Sequence, residues 1–167
     1  MNSTMLILRI IHIFTGVFWA GFAFFSVSFL QPAVRAAGME GQKTMQVLTQ
    51  KTRFLITIYI AATLTVVSGL IMYWIWGGAM LSSSFGHAIT FGAIFGIIVW
   101  LILIFGIRPI FNRMKAISQE IEAQGNPPSA EQTSEMQALA ARLGKVSRLA
   151  ASLLGLALLG MAAAKYF

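Results

Sequence analysis

Four long apolar runs, parted by polar segments of very different length, organise the chain. Residues 5–30 hold one strong charge, Arg9, ahead of Ile13, Phe14, Val17, Phe18, Phe22, Phe24 and Phe29. A polar stretch ending in Lys51-Thr52-Arg53 leads to a second run over 54–76, which Gly77-Gly78 stops. A short uncharged Gly/Ser connection then predicts an antiparallel hairpin with a third run over 85–107, bounded by Arg108-Pro109. A fourth, Ala-rich run over 147–164 is shorter and reaches full span length if Lys145 snorkels. A transmembrane helix takes about 20 residues, so the pattern predicts an all-α, four-transmembrane-helix bundle forming one domain over 1–167. The first run is too long for the apolar region of a signal peptide, and Pro32 is expected to close its helix.

The connection between runs three and four has its own periodicity. Ile110, Met114, Ile117 and Ile121 recur at helical spacing, Gly125-Asn126-Pro127-Pro128 breaks the pattern, and Ser129 with Gln132 forms a capping-box sequence ahead of Met136, Leu139, Ala140 and Leu143. A helical hairpin projecting between helices 3 and 4 is expected, either as a continuation of the spans or as a docking surface.

Composition agrees with a membrane class. Hydrophobic residues make up 57% of the chain and charged residues 10%, with a mean hydropathy of +0.78, too little polar surface for water on all sides. The net charge of +7 comes from basic residues that border apolar runs, so anionic headgroups, not nucleic acid, are the expected partner. Arg35, Lys43, Lys51, Arg53, Arg108, Arg113, Lys115, Arg142, Lys145 and Arg148 all fall in the first and third connections, which four spans place on one side. Basic connections face the cytoplasm, so both termini are expected outside and the hairpin inside, in a bacterial inner membrane. All five acids lie in the same connections, leaving no intramembrane carboxylate for a proton relay. The absence of cysteine excludes disulfides, thiolate metal sites and covalent haem attachment.

The two histidines carry the candidate chemistry. His12 lies a few residues into span one, and His87 near the start of span three. Counted from the outer boundary, both are expected at similar depth, where two imidazoles could supply the axial nitrogens of one non-covalent haem b. Gly16 shares the face of His12 and would leave space for a macrocycle, while Arg9, one turn outward, could pair with a propionate. Trp19, Tyr73, Trp74 and Trp76 could flank it, or serve as an aromatic belt. Gly92-x-x-x-Gly96 is a helix-packing pattern. Met72, Met80 and Met161 lie toward the same end and could join the histidines around Cu(I), or simply fill the bundle.

The stretch Arg9-Ile-Ile-His12-Ile-Phe-Thr-Gly16-Val-Phe-Trp19-Ala-Gly21 resembles the opening helix of the CopD/HemJ-like assemblage of small bacterial membrane proteins, in which an early intramembrane His precedes a Trp-x-Gly element. The likeness covers about the first third of the chain and implies His12 as a haem ligand. HemJ-type proteins also use a Lys in a later helix, and no Lys lies between His87 and Arg108. The readings that follow are a b-type haem membrane protein acting in electron transfer or as a redox-complex subunit, with a redox partner protein or a homo-oligomer; a copper-handling or other small-solute transporter; a HemJ-like protoporphyrinogen oxidase; and a non-catalytic assembly subunit.

Overall fold

The structure, a computed structural model, describes residues 3–78 and 82–166. Seven α-helices and short π- and 3-10 turns make up its regular structure. Helix α1 (Ser3–Phe25) runs through a π-turn (Ser26–Leu30) into α2 (Gln31–Ala36), and a short helix α3 (Gly38–Gln46) with its own π-turn (Val47–Lys51) leads to α4 (Phe54–Trp76). After the hairpin connection, α5 (Ser84–Leu101) continues through a π-turn (Ile102–Ile107) into α6 (Arg108–Gln124), and α7 (Ala130–Ala163) returns along the bundle. Four helical stretches, 3–36, 54–76, 84–124 and 130–166, are long and apolar enough to cross a membrane. Phe14, Val17, Phe29, Trp74, Phe105 and Leu159 are exposed, a surface that suits hydrocarbon and not water. The protein is a small multi-pass membrane protein.

One boundary differs from the sequence expectation. Pro32 was expected to close its helix, yet the chain stays helical through it, as it does through Pro109, where the expected extension of the third span follows. Proline cannot donate the amide its helix needs, and in each case a π-turn just before it moves the bonding to a wider spacing: Gln31 N–H donates to Ser26 O and Arg108 N–H to Leu103 O. The connection between the third and fourth spans therefore has no separate helices. Helix α6 prolongs the third span, and the 34-residue α7 holds both the returning arm and the fourth span. The short separate helix of the fold is α3, in the first connection.

The ends are set by local chemistry. Gly77 stops α4 at φ +69° and ψ −169°, a conformation open essentially to glycine. Ser83 Oγ accepts the Gly86 amide at the start of α5. Gly125 closes α6 in the left-handed region, and Ser129 and Gln132 complete their reciprocal capping box. Between the two arms, Arg113 makes a fork of hydrogen bonds to Glu135, 2.7 and 2.9 Å. The hydrogen bond from Arg113, with its charge behind it, holds the Glu135 carboxyl below its ordinary range. A depressed folded pKa means the contribution is present above the ordinary carboxylate range and is lost as pH falls through the folded value. Amide protection around Glu135 and Arg113, taken relative to the intrinsic exchange rate at each pH, is accordingly expected to fall by a modest factor on acidification because the pair is exposed, and to lose that pH dependence in Glu135→Gln.

Helices α1 and α4 pack along each other, as do α5 and α7, and the two pairs meet around a common core. Trp19 and Ala20, Ile58 and Ala62, Val99 and Leu103, Ala150 and Leu154 bring all four spans into it. The α5–α7 crossing is close because Gly92 faces the Ala157 carbonyl and Met161, while Gly160 faces Phe91 and the Ala88 carbonyl. Gly96, the second member of the Gly-x-x-x-Gly pattern, has nothing near the position of a β-carbon. The motif is half used. Trp100 Nε1 donates to Thr63 Oγ1 at 3.1 Å, and the Tyr73 and Thr90 hydroxyls lie 2.9 Å apart, which fixes the register of α4 on α5.

Candidate functional site

His12 sits at the α1–α4 interface, and what holds it there is small. Gly69, on the facing helix, has no side chain, and the imidazole fills that gap: a β-carbon at Gly69 would lie 2.9 Å from His12 Cε1 and 3.0 Å from Nδ1. The ring is half-buried. Its Nδ1 lies 2.8 Å from the Thr65 carbonyl oxygen. A carbonyl only accepts, so Nδ1 carries the proton and donates, and the neutral ring keeps its lone pair on Nε2. No protein hydrogen bond to Nε2 occurs among the described residues. One turn further in, the Thr15 and Thr65 hydroxyls lie 2.8 Å apart while each also reaches its own helix, at Ile11 O and Ala61 O. Two protons serve three contacts, so this pair can switch partners without breaking the interface.

An imidazole with Nδ1–H anchored on a backbone carbonyl and Nε2 free is the arrangement in which histidines ligate metals, because the anchor fixes both tautomer and ring orientation. In that respect His12 fits an axial role. Sequence reasoning found His12 but missed Thr65 and Gly69. Their four-residue spacing is itself a small-x-x-x-small pattern and could have been read as the face of span two that receives α1.

His87 is placed elsewhere. It is exposed on α5 beside Ser84, Ala88 and Phe91, bordering an open depression that Gly160 and Ala163 of α7 complete. The Thr63–Trp100 and Tyr73–Thr90 contacts set Thr65–Gly69 opposite residues 94–98 of α5. His87 is then about seven to eleven residues farther toward the chain termini, roughly 10–16 Å along the bundle at 1.5 Å per residue. One metal ion needs both nitrogens at about 2 Å. That register sets the two imidazoles at different levels along the bundle, His12 against Thr65 and Gly69 and His87 beside Gly160 and Ala163.

The other candidates divide similarly. Arg9 is exposed one turn from His12 with no carboxylate partner among the described residues. Gly16 does not leave room for a flat ring, since a β-carbon there would meet Thr65 Cγ2 at 3.3 Å. Trp19 is buried in the core, Trp74 is exposed, and Trp76 stacks edge-on with Phe85 at 5.8 Å. Met72 is buried, Met161 packs over Gly92, and Met80 lies outside the described residues. Among the described residues no three His, Asp or Glu side chains converge as a metal cluster.

A cavity of about 90 Å³ opens at the opposite, basic end of the bundle, walled by Trp19, Phe22, Phe54, Ile58, Leu103 and Phe111 with Gln31 and Ser147 at its edge. It is nearly all apolar, does not include either histidine, and falls well below the roughly 300 Å³ of a small cofactor pocket.

Comparison with protein-family models, with curated proteins and with solved structures finds no match to this chain. The CopD/HemJ-like resemblance therefore rests on the pattern of the first helix.

Proposed function

We propose that the protein is a b-type haem-binding membrane protein in which His12, and not a His12–His87 pair, supplies the axial nitrogen. The observation that carries this reading is the 2.8 Å bond from His12 Nδ1 to the Thr65 carbonyl, which leaves Nε2 free. Haem held there would supply one-electron exchange between Fe(III) and Fe(II), the chemistry of a redox-complex subunit. The chain's own part is to fix the imidazole: Thr65 sets the tautomer, Gly69 admits the ring, and Arg9 offers a cation one turn outward for a propionate. The bundle interior is too tightly packed for a porphyrin, so the reading puts it at the flank of α1 and α4, where a redox partner or a second copy could cover it. The basic connections, holding ten of the twelve Lys and Arg residues, orient that site toward the outer face of a bacterial inner membrane, with both termini outside.

Haem titration into protein purified without it separates this reading from its alternatives. His87→Ala is expected to bind as the parent does. Gly69→Ala keeps His12 but pushes its ring off the Thr65 carbonyl, and a loss of about 10- to 100-fold in affinity is expected, the cost usual for an outer-shell partner of a metal-bound histidine. If His87→Ala and Gly69→Ala show the reverse ranking, His87 is the ligand and the assignment fails.

A further inference from the structure

A second feature lies at the basic end, where α2 meets α7. Gly144 is buried there, and a β-carbon on it would stand 2.8 Å from Arg35 Nη2, 3.5 Å from Gln31 Oε1 and 3.6 Å from Arg148 Nη1. The two guanidinium groups are therefore no farther apart than the sum of the two arginine distances. Neither has a carboxylate partner: the ion pairs among the described residues join Lys43 to Glu40, and Arg113 to Glu120 and Glu135. Arg108, nearby in sequence to the same membrane boundary, lies over the Tyr59 ring at 5.9 Å and is engaged otherwise. Long exposed side chains of like charge repel and can swing apart at little cost, so convergence of two of them on one glycine marks a place for an anion. Guanidinium forks match phosphate oxygens, which bind two of them at once.

Gln31 joins this cation pair to the apolar cavity. It borders the 90 Å³ hollow together with Ser147, one residue from Arg148, and Leu143, one residue from Gly144. The hollow has room for several waters but an apolar wall, which favours a short stretch of hydrocarbon over water. Arg35 ends the helix of the first span and Arg148 precedes the apolar part of the fourth, so the pair stands at headgroup level with the hollow toward the hydrocarbon. We infer that Arg35, Arg148 and Gln31 form a binding site for one anionic phospholipid, its phosphodiester between the two guanidinium groups and part of an acyl chain in the cavity. Anion and chain must both be present in the ligand, which selects a lipid over free phosphate.

Native mass spectrometry of the full chain in neutral detergent, titrated with phosphatidylglycerol, tests this. The parent is expected to retain one phosphatidylglycerol per chain with about tenfold or greater preference over phosphatidylcholine. The double variant Arg35→Gln/Arg148→Gln is expected to lose about tenfold or more, while Arg142→Gln/Lys145→Gln, which removes the same charge from the same end of the bundle, stays within about twofold. Arg35→Lys/Arg148→Lys preserves charge without the planar fork and is expected to fall between them, and it serves as the readout should the glutamine pair not fold. Equal losses in the two glutamine pairs would reduce the effect to general electrostatics and overturn the site. Equal retention of phosphatidylcholine, or displacement by glycerol phosphate at concentrations matching the lipid, would also overturn it. None of these outcomes depends on haem content.

Discussion

His12→Ala is expected to emerge from purification colourless, with haem affinity reduced more than about 100-fold, because loss of the ligand must exceed the 10- to 100-fold typical of losing the group behind it. The fold should survive the change. Only one side-chain hydrogen bond, to the Thr65 carbonyl, disappears, at a cost of about 1 kcal/mol, and that carbonyl still accepts from Ser68 Oγ at 3.1 Å. The two effects are separable by measuring haem content and thermal unfolding on one sample. Haem content at parental levels in folded His12→Ala would end the assignment of this residue, and a colourless parent would end the haem reading altogether.

The largest stability effect is expected at the α5–α7 crossing. Gly160→Val places a β-carbon 2.9 Å from Phe91 Cδ1 and 3.2 Å from both Ala88 O and Gly92 N, and Gly92→Val meets Ala157 O at 2.8 Å. The ring can turn aside, but backbone atoms of a packed helix cannot, so the helices must separate. Overpacking of this kind costs about 1–3 kcal/mol at each site, and more where backbone is the obstacle. Lost van der Waals contact is not regained from lipid, which packs poorly into the gap. Gly96→Ala, on the same helix one turn beyond Gly92, meets nothing within 4 Å and is expected to stay within about 0.5 kcal/mol of the parent. Unfolding in mixed micelles of increasing denaturing-detergent content would rank the variants. Equal sensitivity at Gly92 and Gly96 would mean that α7 crosses α5 elsewhere.

These residues also show which features were readable from the chain. The four spans were legible because apolar runs of that length admit one interpretation, and the capping box was legible because its chemistry is local. The helix through Pro32 was not: proline reports a missing donor, and only the backbone shows a π-turn supplying another bonding pattern, there and again before Pro109. Gly92 and Gly96 look equivalent in sequence because spacing gives a shared face without saying where along it the partner crosses. The levels of the two histidines depend on register: the α4–α5 hydrogen bonds set Thr65 and Gly69, which hold His12, several residues from the level of His87, and counting from the ends of apolar runs does not carry that offset. Thr65 and Gly69, which hold His12, carry no ionisable chemistry and become visible only across the interface. Arg35 and Arg148 are more than a hundred residues apart in sequence, so their meeting over Gly144 belongs to the fold.

The central claim is a single axial histidine, and the visible absorption spectrum of the gently purified parent, made with adequate haem supply and paired with iron analysis, tests it most directly. About one iron porphyrin per chain is expected, with the spectrum of a haem carrying one histidine and an open or weakly filled sixth position. A low-spin bis-imidazole spectrum, or protein without iron porphyrin, would contradict it.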